Sequence, residues 1–132
     1  MTGGPPDRLI LTRQVTREAI RLYAEASGDF NPIHVDEAFA ARTPFGGIVA
    51  HGMMTLAYVS EMMGKQFGEK WLSGGVMRIK FRGPARPGDT LTITAERQGD
   101  EIISGKQYLK YTVVCRNDKG QPVIDGQVLV AI

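Results

Sequence analysis

The order of patterns along the chain predicts an α+β domain in which an antiparallel sheet curls around one long helix. Three observations carry that expectation. A β-rich start is followed by helical patterns, and then by four β-rich stretches separated by turn signals. Met53, Met54, Leu56, Ala57, Tyr58, Val59, Met62 and Met63 put apolar groups on every side of a helix, which predicts a helix buried all round. The chain of 132 residues is long enough to bury a core of its own, and its 42% hydrophobic and 23% charged residues are those of an ordinary globular domain.

Residues 1–6, containing "GGPP", read as a flexible lead-in, and 7–132 as a single domain. "RLILTRQVT" (Arg8–Thr16) is β-rich and reads as the first strand. Thr16 then caps a helix in which Ile20, Tyr23, Ala24 and Ser27 keep helical spacing, and Gly28 is placed to end it. Asp29 therefore falls in a turn, and Asn31, ahead of Pro32, is pushed toward extended geometry. Asp36 is the expected cap of a short helix, "EAFAAR", that stops before Pro44. The long apolar helix follows, beginning near His51. "GGVMRIKFRGPA", "DTLTITAERQ", "KQYLKYTVVCRN" and "PVIDGQVLVAI" read as four strands in hairpin succession, with turns at "RPGD" and "NDKGQ". A sheet wrapped around one buried helix is the hot-dog architecture.

The net charge of +2 gives no reason to expect a nucleic-acid or membrane partner. No apolar run approaches membrane-spanning length, and no basic segment followed by an apolar one suggests a signal peptide. The one cysteine, Cys115, excludes an intramolecular disulfide and suits a cytoplasmic setting. Its setting in "YTVVC" reads as a strand and predicts a buried structural thiol.

The chemistry concentrates in "GDFNPIHVDE", where Asp29, Asn31 and His34 crowd around a proline. On a continuous helix Asp29 and His34 would face different ways; an irregular loop can bring them together. A carboxylate and an imidazole so placed can grip one water as base and donor, in either assignment, while an amide can only orient. Asp29, His34, Asp36 and His51 are of metal-ligand type, but their spacing matches no metal motif, and no metal is expected. His51 is expected to serve the helix start. Gly52 would leave that helix start, with its unpaired N–H groups, open to a ligand.

"YAEASGDFNPIHVDEAFA" followed by "GGIVAHGMMTLAYVSEMMG" resembles the MaoC-like, (R)-specific enoyl-CoA hydratase family, as does "FRGPARPGDTLT". The resemblance implies reversible syn addition of water to a trans-2-enoyl thioester, giving the (R)-3-hydroxyacyl thioester. It implies Asp29 and His34 as the catalytic pair, Asn31 as a supporting polar group, and the Gly52 N–H as receiver of the thioester oxygen. It further implies a substrate borne on coenzyme A or an acyl carrier protein, no separate cofactor, and a homodimer or an assembly of dimers. Met53 and Ser60 are candidates to line the acyl pocket, although the Ser60 hydroxyl can equally bond back to the chain. Arg78, Lys80 and Arg82 alternate with Met77, Ile79 and Phe81 and read either as a solvated face or as a site for the carrier's phosphates. Two alternatives stand beside this reading: a hot-dog thioesterase, or a non-catalytic acyl-thioester-binding domain. Against the first, the earliest acid on the long helix is Glu61, well past its start.

Overall fold

The computed structural model describes residues 4–132; residues 1–3 of the expected lead-in lie outside the described residues. The elements are β1 (Arg8–Gln14), α1 (Arg17–Ser27), α2 (Pro32–Val35), α3 (Glu37–Ala41), α4 (Gly52–Phe67), α5 (Glu69–Gly74), β2 (Val76–Phe81), β3 (Thr90–Ile103), β4 (Lys106–Arg116) and β5 (Pro122–Ala131). One five-stranded sheet runs in the order β1-β3-β4-β5-β2, with every neighbouring pair antiparallel. Alternate residues of the long strands turn inward: Leu91, Ile93 and Ala95 from β3, Tyr111, Val113 and Cys115 from β4, and Val128 and Val130 from β5. Met54, Val59, Met62 and Met63 of α4 pack among them in one core, so the sheet curls around the helix in the hot-dog manner. Among the described residues no helix is long and apolar enough to cross a membrane.

The local signals behave as their chemistry dictates. Thr16 accepts the Ala19 N–H at the start of α1, and Gly28 ends it at φ 78°, in the left-handed region that glycine enters freely. Asp36 accepts the Phe39 N–H and starts α3. At the lead-in, the Tyr111 hydroxyl donates to the Pro6 carbonyl at 2.7 Å.

Four expectations need correction. The strands are in hairpin succession only from β3 to β5, since β2 pairs with β5 and forms an edge. Gly126 permits that pairing: at φ 151° it faces Ile79, and a Cβ there would stand 2.2 Å from the Arg78 carbonyl oxygen. The segment expected as an irregular loop carrying Asp29 and His34 turns helical within it: Pro32 opens α2, where its missing N–H has no helical partner to lose. The long helix is not buried all round, because the sheet covers one side of it; Met53 (57% exposed) and Ala57 face outward. Finally, of the three apolar residues expected on the inner face of β2, only Ile79 packs against the core, and Met77 and Phe81 stay exposed.

Candidate active site

Three successive side chains shape the segment between α1 and α2. Ser27 Oγ accepts the Asp29 N–H, Asp29 Oδ1 accepts the Asn31 N–H, and Asn31 Oδ1 accepts the Ile33 N–H, each at 3.1 Å. Each spans two residues, the reach of short polar side chains toward their own backbone. Asn31 is thus the cap of the single turn that carries His34, and its amide oxygen is committed to the backbone. The bond to Asn31 takes one oxygen of the exposed Asp29 carboxylate and leaves the other available.

His34 is half-buried, and its Nδ1 lies 2.7 Å from the Val49 carbonyl oxygen. A carbonyl only accepts, so Nδ1 carries the hydrogen and the neutral ring keeps its lone pair on Nε2. His51 sits at the N-cap of α4, as its sequence position suggests, yet its side chain makes no capping bond. Its ring is 2% exposed and stacks on His34 with centroids 3.8 Å apart. Its Nε2 donates to the Asp29 carbonyl at 2.9 Å, and its Nδ1 is buried with no partner among the described residues. One ligand-type atom from each of Asp29, His34 and His51 lies within 4.8 Å of the others. Sequence spacing alone brought only Asp29 and His34 together; a stack between residues 34 and 51 leaves no local signal.

The 49–51 segment, which braces His34 through Val49 and carries His51, leads directly into Gly52, the first residue of α4. At that position a helix N–H has no intrahelical acceptor, and the helix dipole adds partial positive charge. Thr55, 1% exposed, donates its hydroxyl to the Gly52 carbonyl at 2.6 Å and steadies the turn. Gly52 opens onto a groove of about 420 Å³ walled by Phe45, Val49, Phe81 and Pro84. A Cβ on Gly52 would meet the Phe81 ring at 3.1 Å.

The other candidates lie outside the cluster, and Arg78, Lys80 and Arg82 share a pocket of their own along β2. Met53 is exposed beside Gly52, outside any described wall. Ser60 accepts the Trp71 indole N–H at 2.9 Å, so its hydroxyl bonds to a side chain of α5 rather than back to the chain. Arg78 holds both oxygens of Glu101, at 3.2 and 2.7 Å, and Arg82, just past β2, holds Asp125 at 3.0 Å. The Arg78 guanidinium keeps the Glu101 carboxyl below the ordinary carboxylate range. Lys80 is exposed and forms no ion pair among the described residues. Glu61 is taken by Arg13 at 2.5 Å and Lys65 at 3.3 Å.

A hot-dog fold with a carboxylate–imidazole cluster beside the open start of its central helix is an arrangement suited to acid–base chemistry on a carbonyl compound. The MaoC like domain model matches residues 3–118, and the chain belongs to that family. It is 33% identical over 126 residues to a 3-hydroxybutyryl-CoA dehydratase of Methylorubrum extorquens, covering 93% of this chain and 76% of that one. It is 30% identical over 122 residues to an (R)-specific enoyl-CoA hydratase of Rhodospirillum rubrum, covering 92% and 83%. The (R)-hydratase of A. caviae involved in PHA biosynthesis superposes with a TM-score of 0.79 at 25% identity, over 98% of this chain and 96% of that one.

Proposed function

We propose that the protein is an (R)-specific enoyl-thioester hydratase/dehydratase, a hydro-lyase adding water reversibly across a trans-2-enoyl thioester. The observation that carries this reading is the clustering of Asp29 and His34 against the segment that opens at Gly52. Hydration removes one proton from water as its oxygen attacks the β-carbon, and delivers one proton to the α-carbon. The free oxygen of Asp29 and the Nε2 lone pair of His34 are the two groups that can hold that water and shuttle its proton, and the net reaction consumes one water and no cofactor. Negative charge builds on the thioester oxygen meanwhile, and the Gly52 N–H is the donor suited to it; one such donor is typically worth about 3–4 kcal/mol. Delivery of both water fragments from one side accounts for syn addition.

The thioesterase alternative loses support because the two cations on Glu61 remove that acid from chemistry. The substrate in this reading is an acyl thioester on coenzyme A or a carrier protein. The working unit is a homodimer, supported by the open edge of β2 and by exposed Met53, Met77 and Phe81 close to it. The test is loss of the conjugated enoyl absorbance of crotonyl-CoA, with chiral analysis of the product. Wild type should form the (R)-3-hydroxy product, and Asp29→Asn should fold normally and lose at least about two decades of kcat. Near wild-type turnover by Asp29→Asn would overturn the assignment of the pair, and release of free thiol by wild type would favour the thioesterase.

A further inference from the structure

A second cleft, of about 490 Å³, lies between the segment after β2 and the β4–β5 turn, and carries Arg82, Arg86 and Lys119 on its walls. It adjoins the groove at Gly52, since Arg82, Gly83 and Pro84 line both. The backbone fixes the connection: the Ala50 N–H donates to the Ala85 carbonyl at 2.7 Å, so Arg86 begins one residue from a strap tied to the helix-start segment. Arg86 and Lys119 form no ion pair among the described residues. The cleft's own carboxylate, Asp89, accepts the Arg86 backbone N–H at 2.8 Å and makes no ion pair with either side chain among the described residues. The candidate stripe on β2 differs, because both guanidinium nitrogens of Arg78 that could fork an anion are on Glu101.

We infer that this cleft holds the phosphates of coenzyme A, with Arg86 and Lys119 as the charge partners and Arg82 at the junction. The inference rests on the enoyl-thioester reading of the Gly52 groove. A thioester whose carbonyl meets the Gly52 N–H runs its carrier arm away along Phe81 and Pro84, which are apolar, and ends among the cations. Two unpaired cations and a third shared with Asp125 suit a pyrophosphate with a further phosphate better than the single phosphodiester of a carrier protein. Guanidinium and ammonium groups at the mouth of a groove also draw a polyanion toward it at low salt.

The test compares wild type with Arg86→Ala/Lys119→Ala on four ligands: coenzyme A, its 3′-dephospho form, pantetheine, and a phosphopantetheinylated acyl carrier protein. Calorimetry gives each Kd, and hydration of the crotonyl thioesters gives kcat and KM. Neither side chain hydrogen-bonds among the described residues, so the melting temperature should stay put. The double variant should weaken coenzyme A at least about tenfold, lose less on the dephospho form, and narrow the preference for coenzyme A over pantetheine, with the loss in KM rather than kcat. Arg86→Lys should recover part of it. Equal coenzyme A affinity in variant and wild type, or equal loss on pantetheine, overturns the site. A larger loss on the carrier protein than on coenzyme A overturns its assignment to the nucleotide. If wild type binds coenzyme A with this dependence but hydrates no crotonyl thioester, the phosphate site stands and the hydratase reading falls.

Discussion

His51 reaches both members of the acid–imidazole pair from the protein interior, through its Nε2–H on the Asp29 carbonyl and its ring on that of His34. His51→Phe keeps a flat ring for the stack and removes the donor, which frees the Asp29 backbone to drift. Because displacements of about 1 Å can cost two decades of rate, His51→Phe should lower kcat about 10- to 100-fold with KM changed little, as steady-state hydration kinetics will read. Gly52 gives a different residue-scale outcome. The 3.1 Å contact that a Cβ would make is with the half-exposed Phe81 ring, which has room to turn aside. Gly52→Ala should therefore melt within a few degrees of wild type yet lose most turnover, because the new methyl stands where the thioester must approach; Gly52→Val should be worse in both respects.

At the scale of elements, three contacts join the pieces that frame the site. Gly126→Ala would drive a methyl against the Arg78 backbone, which cannot yield without breaking the β2–β5 ladder. It should cost more than about 3 kcal/mol in a urea titration. Asn31→Ala removes the cap of α2 and should cost about 1 kcal/mol, with a further loss of activity because that turn carries His34. Glu61 ties α4 to β1 through Arg13, and the hydrogen bond from that guanidinium holds the carboxyl below its ordinary range. A lowered folded-state pKa stabilises above the ordinary glutamate range and loses that contribution as the pH falls through it. Wild type should therefore approach Glu61→Gln in urea midpoint as the pH falls below the ordinary glutamate range, the gap at neutral pH being below about 1 kcal/mol for a pair this exposed. The same comparison of local and distant causes explains what the sequence disclosed. Thr16, Gly28 and Asp36 act on their own turns and were legible, as were the long strands and the apolar helix. The reach of β3 to Ile103 was not: it passes through Gly99 at φ 82° and a register shift between Arg97 and Asp100, which a period-two pattern cannot follow. Nor was the pairing of β2 with β5, the outward face of α4, or the His34–His51 stack, each of which depends on residues far away in the chain.

For the molecule as a whole, Cys115 offers a reporter. Burial pushes its thiol up to about 12, and its side chain is closed off in the centre of the sheet. Labelling by a disulfide reagent at neutral pH should proceed only through global opening and match the unfolding equilibrium from urea. An acid with a raised folded-state pKa favours the fold below the ordinary thiol range, so stability should fall as the pH rises past it. The proposed pairing of chains predicts a dimer mass by light scattering, and Phe81→Glu, at the open edge, should shift the population toward monomer.

The strand order also dictates a timetable. Arg8 of β1 lies opposite Glu96 of β3, while β3, β4 and β5 are joined by short turns. Closing the short loops costs less entropy, so the three-strand meander is expected to form first and β1 to dock on it late. The whole stretch from Asp29 to Gly52 lies inside that long closure. In a pulse-labelling refolding experiment, amides of β4 should gain protection before those around His34, and enzymatic activity should return last.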